Sequence, residues 1–212
     1  MSARDDVLAA VRAALAPGPE RTGERATSVA PGVAPMGTGA AALDRAPMLD
    51  LFAERVADYR ATVTRCEAAD LVATVAAALV GATSVVVPPG LGLEVTGGVV
   101  DDGLSHADLD AVDAVVTAAA VGIAETGTVV LDHGPGQGRR VITLLPDLHV
   151  CVVREEQVVP DVPDAIGRLD PLRPQTWISG PSATSDIELS RVEGVHGPRR
   201  LHVILVAGEV GS

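Results

Sequence analysis

The chain has 212 residues, a formal net charge of −12 at pH 7 and an isoelectric point near 4.7. That length fits one medium domain, or one domain with an appended arm. An acidic surface repels phosphate backbones, and Phe52, Tyr59 and Trp177, the three aromatics of the sequence, offer few stacking platforms, so no nucleic acid is expected as a partner.

Hydrophobic residues make up 47% of the chain, enough for a core packed from Val, Leu, Ile and Ala. All 16 basic residues are arginine. Without lysine there is no Schiff-base amine and no P-loop lysine, so an anion must be held by Arg, by backbone N–H groups or by a helix end. Two cysteines, Cys66 and Cys151, fall short of the four thiolates that an iron–sulfur cluster usually takes. His106, His133, His149, His196 and His202 show no i,i+3 or i,i+4 pair, so no metal site is expected. Charges interrupt the N-terminus where a signal peptide needs an apolar run, and Pro88 and Pro89 break the uncharged stretch at 71–93. The composition predicts a soluble, cytoplasmic chain with no membrane span.

In chain order, residues 2–15 read as a helix with Val7, Leu8, Val11 and Leu15 at helical spacing, stopped by Pro17 and Gly18. We assign an N-terminal helix to 1–16, a Pro/Gly-rich linker to 17–47 and an α/β domain to 48–212. The spacing then predicts a helix over 48–60, a strand over 61–66, a helix over 69–80 and a strand over 84–87. Ser105 and Asp108 have capping-box spacing ahead of a short helix at 107–110. A strand follows at 112–117, then a strand–turn–strand unit over 122–132. Residues 133–138, rich in Gly, read as a mobile loop or lid leading to Arg139 and Arg140. Further on come a helical stretch at 141–145, a strand at 149–153, a helix at 162–169, a strand at 176–179, a helix at 185–193 and a last strand at 201–206. Alternation of short apolar strands with helices predicts an α/β fold, a mainly parallel sheet covered by helices on both faces. Continuous runs such as Val85, Val86 and Val87 fit strands buried on both sides.

Three stretches carry a family resemblance. They are Ile123-Ala124-Glu125-Thr126-Gly127-Thr128-Val129-Val130-Leu131-Asp132-His133; Leu144-Leu145-Pro146-Asp147-Leu148-His149; and Ile178-Ser179-Gly180-Pro181-Ser182-Ala183-Thr184-Ser185-Asp186-Ile187-Glu188, followed by Gly194-Val195-His196-Gly197-Pro198-Arg199. In this order they resemble the lactate utilisation protein C family, or LUD-domain proteins, from about residue 48 onward. The family pattern has a basic residue and Thr-Ala in the third stretch, where this chain has Ala183, Thr184 and Ser185. The resemblance implies the fold of sugar-phosphate isomerases and coenzyme A transferases. It also implies a role in oxidation of L-lactate to pyruvate beside two iron–sulfur partner proteins, with the clusters in those partners and no cofactor in this chain.

Glu125 lies in a turn flanked by Thr126, Gly127 and Thr128, where a carboxylate can act as nucleophile or general base, or accept backbone N–H bonds. Gly180, Pro181, Ser182, Thr184 and Asp186 follow a strand and open the expected helix, a geometry that aims N–H groups at an anion such as a small carboxylate. Ser185 and Glu188 have capping-box spacing there. His196 beside Gly197 is either an acid–base group or a loop anchor. Asp132 and His133 adjoin the Gly-rich loop, and Arg139 and Arg140 are anion contacts or solvated side chains. His149 and His202 read as packing residues, and Cys151 as buried and inert. The favoured function is an accessory subunit in lactate oxidation. Alternatives are a coenzyme A transferase-like enzyme with Glu125 as nucleophile, and a metabolite-binding module without turnover. Assembly with a second copy fits any of these.

Overall fold

The computed structural model describes residues 44–185, 191–193 and 197–208. The helix expected at 2–15, most of the 17–47 linker, Asp186 and His196 lie outside the described residues. Helix α1 (Arg45–Asp58) buries Met48, Leu49, Phe52 and Val56, a stripe that recurs at helical spacing. It starts three residues before the expected boundary, because Pro47 is tolerated in a first turn whose N–H groups lack helical partners. Tyr59 is exposed just past the end of the helix.

Strand β1 (Thr62–Glu67) runs through a 3₁₀ turn (Ala68–Asp70) into α2 (Leu71–Ala78). Leu71, Val75 and Leu79 form the buried side of that helix. Then follow β2 (Val85–Val87), β3 (Gly98–Val100) and α3 (His106–Asp110). The capping box at α3 is present in full: Ser105 accepts from the Asp108 amide, and Asp108 accepts from the Ser105 amide. Strand β3 escaped the sequence reading. Val99 and Val100 are exposed on a three-residue edge strand, so no buried pattern marks it.

Next come β4 (Ala114–Ala118), β5 (Val121–Ile123), β6 (Thr128–Leu131), a 3₁₀ turn (Arg140–Thr143), β7 (Leu148–Arg154), a second 3₁₀ turn (Glu155–Gln157) and β8 (Val158–Val159). Helix α4 (Val162–Arg168) is capped by Asp161, whose carboxylate accepts from the Asp164 amide. The chain ends its described course in β9 (Thr176–Ile178), β10 (Ala183–Ser185), β11 (Arg191–Glu193) and β12 (Arg200–Ala207).

The main sheet has the order β1-β12-β7-β4-β2-β3 and every pairing is parallel. Side chains alternate along each strand and so feed two cores. Cys151, Val153, Val203 and Leu205 face α1 and the β5–β6 hairpin. Val150, Val152, Ile204 and Val206 face α2. The sheet is thus covered on both faces, as its continuous apolar strands predicted. A smaller sheet, β8-β5-β6-β9, packs one face on α4 through Val121, Ile123, Val130 and Val159.

The helix expected at 185–193 is a failed expectation. Residues 185–193 do not form one helix: β10 and β11 pair antiparallel, Ser185 opposite Arg191 and Ala183 opposite Glu193. Thr184, Ser185 and Val192 suit extended backbone, and capping-box spacing alone carries no weight without an apolar stripe to bury.

Candidate functional site

The onward connections from β2 and β4 run to opposite sides of the sheet: β2 continues to β3, and β4 leads toward β7. Open parallel sheets bind ligands in the crevice outside the carboxyl ends of such strands. Here residues 132–138 fill that crevice. The Gly136 amide donates to the Pro89 carbonyl (2.9 Å) and the Gly136 carbonyl accepts from the Ala118 amide (2.7 Å), so the loop is stitched to the ends of both strands. Within the loop, Gly134 N–H donates to Asp132 (3.1 Å) and Nδ1 of His133 donates to the Gly138 carbonyl (2.8 Å). Gln137 is buried, and its Oε1 accepts from the Asp132 amide. The mobile lid read from the glycines is therefore a hydrogen-bonded plug: the glycines supply positive φ at Gly136 and Gly138 rather than freedom.

Clefts open on either side of the plug. One, of about 910 Å³, is lined by Leu91, Ala118, Asp132, Arg154, Arg168 and Arg173 among others. Its neighbour, about 880 Å³, is bordered by Gly90, Asp101, His133, Arg139 and Arg140. In the neighbour, Arg139 is already committed. Its guanidinium donates twice to the buried Asp101 (2.7 Å each), whose carboxylate also accepts from the amides of Gly103 and Leu104. The guanidinium beside it holds the Asp101 carboxyl below the usual carboxylate range.

A third pocket, about 240 Å³, draws together the pieces that the sequence singled out. Gly180, Pro181, Ser182 and Gly197 line it with Arg140, Thr143, His149 and Ser179. The Ser182 amide donates to the Pro198 carbonyl (2.8 Å), which joins the two halves of the third motif. Arg140 sits at the mouth, exposed as a residue, yet enough protein surrounds its guanidinium to lower its pKa by burial. Nη1 donates to Oγ1 of Thr143 (2.8 Å), and no carboxylate among the described residues pairs with it. His149 forms the floor. Burial pushes its pKa down to about 4, the Arg140 charge adding to the effect, so it is neutral at pH 7. Nε2 of His149 meets Oγ1 of Thr117 at 2.8 Å, and burial raises the neighbouring Cys151 thiol to about 12. Cys151 is therefore inert, as expected.

The β5–β6 turn stands apart. Glu125 is exposed and lines none of these three cavities. Gly127, at φ 58°, is held against α1, where an added Cβ would lie 2.5 Å from the Arg55 carbonyl carbon. Thr126 meets Thr128 (2.7 Å) and Thr128 meets Ser179 (2.8 Å), so the turn reaches the small pocket only through a chain of hydroxyls. Thr184 lies on β10, and Asp186 and His196 are outside the described residues. The sequence reading missed Arg154, Arg168 and Arg173. Only Arg154 carried a signal: a charge closing the buried run of β7 at its carboxyl end.

The LUD domain model matches residues 104–206, a span that holds all three motifs. A lactate utilization protein C from Deinococcus radiodurans is 50% identical over 177 residues, covering 78% of this chain and 82% of that protein. The lactate utilization protein C of Bacillus pumilus is 37% identical over 95 residues, 41% of this chain and 39% of its own. The crystal structure of a DUF162 family protein from Deinococcus radiodurans matches with a TM-score of 0.66 at 45% identity, covering 77% of this chain and 99% of that one. With half of its aligned residues shared across most of a full-length relative, this chain belongs to the lactate utilization protein C family and carries its LUD domain.

Proposed function

We propose that the protein acts in lactate utilisation, as the subunit that holds a small carboxylate, lactate or pyruvate, for a lactate-oxidising assembly. The family membership names the process. The observation that carries the site is Arg140: a guanidinium without an acidic partner, at the mouth of a pocket of about 240 Å³. A three-carbon acid displaces on the order of 100 Å³ if each heavy atom takes somewhat less than the ~30 Å³ of a water molecule, so it fits with room for a solvent molecule. Arginine grips a carboxylate through two parallel N–H donors, and the hydroxyl of Ser179 lies on the same wall.

The oxidation itself is assigned to iron–sulfur partners in the cytoplasm. This chain has two cysteines, on β1 and β7 with β12 between them, and the thiol on β7 is buried. Such a pair supplies no four-thiolate set. Electrons from lactate would then pass to clusters in two partner subunits, with this chain presenting or releasing the acid.

The test is lactate-dependent reduction of an artificial acceptor by the two cluster-bearing partners, with this chain, without it, and with Arg140→Ala. The proposal expects activity to need the chain and to fall when Arg140 is removed. Full activity without the chain would sink the role, and full activity of Arg140→Ala would sink the site. Glu125→Gln serves as the control for the transferase alternative, which requires that variant to be dead.

A further inference from the structure

The cleft of about 910 Å³ beside the plug is too large and too strongly charged to be a lactate site. It lies near the upper end of the roughly 300–1,000 Å³ range of small-molecule pockets. Among its lining residues Arg154, Arg168 and Arg173 carry positive charge and Asp132 alone carries negative charge. Arg173 pairs with Asp132 at 2.9 Å, which cancels that one acid. Arg168 donates to the Glu156 carbonyl (2.9 Å), a neutral partner that fixes its direction and leaves its charge uncompensated. No salt bridge among the described residues engages Arg154. The cleft therefore keeps a net charge of two positive units in a chain whose net charge is −12. A positive hollow in an acidic protein concentrates anions there.

Leu71, Leu91, Leu93, Val121, Val152 and Leu169 give the cleft an apolar wall, beside the amides of Gln137 and Gln157. These side chains suit an uncharged moiety, not a free inorganic anion. Position agrees with chemistry, because the cleft sits at the carboxyl ends of β4 and β7, beside the point where the sheet's connections diverge.

We propose that this cleft is a second binding site, separate from the Arg140 pocket, for an organic phosphate of nucleotide size. Its phosphates lie between Arg154 and Arg168, and its uncharged part packs on the leucines. The proposal does not depend on the lactate reading, since the two cavities share none of these residues.

The experiment is calorimetric titration of the whole protein with ADP, with coenzyme A and with inorganic pyrophosphate, repeated on the Arg154→Ala/Arg168→Ala variant and on Arg140→Ala. At least one of the two organic phosphates should bind saturably, and about tenfold more tightly than pyrophosphate, because only it uses the apolar wall. The double variant should lose at least about tenfold in that affinity, since each lost charge-assisted bond is worth about that much. Arg140→Ala should bind unchanged. Both replaced arginines are exposed, and an unaltered melting temperature confirms that the double variant is folded. Absence of saturable binding by both organic phosphates up to millimolar concentration overturns the proposal. So does equal affinity for pyrophosphate, or binding that the double variant leaves intact.

Discussion

The two cavities use arginine in opposite ways. In the small pocket the Arg140 guanidinium is braced by the neutral hydroxyl and carbonyl of Thr143, and a buried neutral histidine forms the floor. In the broad cleft three guanidinia ring an apolar wall, one of them tied to an acid, and no histidine takes part. Between them stands Arg139, whose charge is spent on Asp101 and serves only the fold. Adjacent arginines in the sequence, Arg139 and Arg140, thus have different roles: what matters is whether a carboxylate has already claimed the guanidinium.

The largest test of this contrast is acid. His149 titrates near 6.5 when unfolded and near 4 when folded, so the unfolded chain binds the proton more readily. Stability is complete above pH 6.5 and falls as the pH drops toward 4, by up to about 3 kcal/mol from this group. Urea unfolding at pH 7 and pH 4.5 should show that loss, and His149→Gln, which keeps a partner for Thr117, should show a smaller one. An equal loss in both would mean that His149 is not the buried neutral floor described.

Arg140→Ala should weaken pyruvate binding on the order of 30-fold, about 2 kcal/mol, with folding stability unchanged within about 0.5 kcal/mol. Isothermal titration and urea unfolding read the two quantities separately. Arg139→Ala should do the reverse. It strands the Asp101 carboxylate, which is buried, and should lower stability in urea unfolding, the exposure of Arg139 limiting the loss. Pyruvate affinity should stay within twofold, on the order of the error of such a titration. If Arg139→Ala abolishes binding while Arg140→Ala does not, the assignment of the pair is inverted. The smallest effect belongs to Glu125→Gln. An exposed side chain in none of the three cavities should change stability by less than about 0.5 kcal/mol.

Much of the architecture could be read from local pattern. Valine runs at 85–87 and 149–153 announced buried parallel strands, and the Ser105–Asp108 spacing located α3. The third motif pointed to a pocket because its turn residues, Gly180 to Ser182, remain neighbours in the fold and meet the Gly197–Pro198 stretch where the Ser182 amide donates to the Pro198 carbonyl. The hairpin at 183–193 went wrong for the same reason that local reading works elsewhere. A four-residue spacing rule saw Ser185 and Glu188, and could not see that the strand partner of Ser185 is Arg191.

By itself the sequence determined the class of the fold, the family, the absence of a four-cysteine ligand set and the dependence on arginine for any anion. The family follows from the resemblance of three short motifs, and the rest from composition and from periodicities of two and 3.6 residues, which act within a few positions along the chain. Only the tertiary structure decided which arginines are available. Whether Arg139, Arg140, Arg154 or Arg173 keeps its charge depends on Asp101 and Asp132, residues 38 to 41 positions away in the two pairs that form. It depends also on the strand order that sets the end of β7 beside the loop after β2, and no local rule encodes strand order.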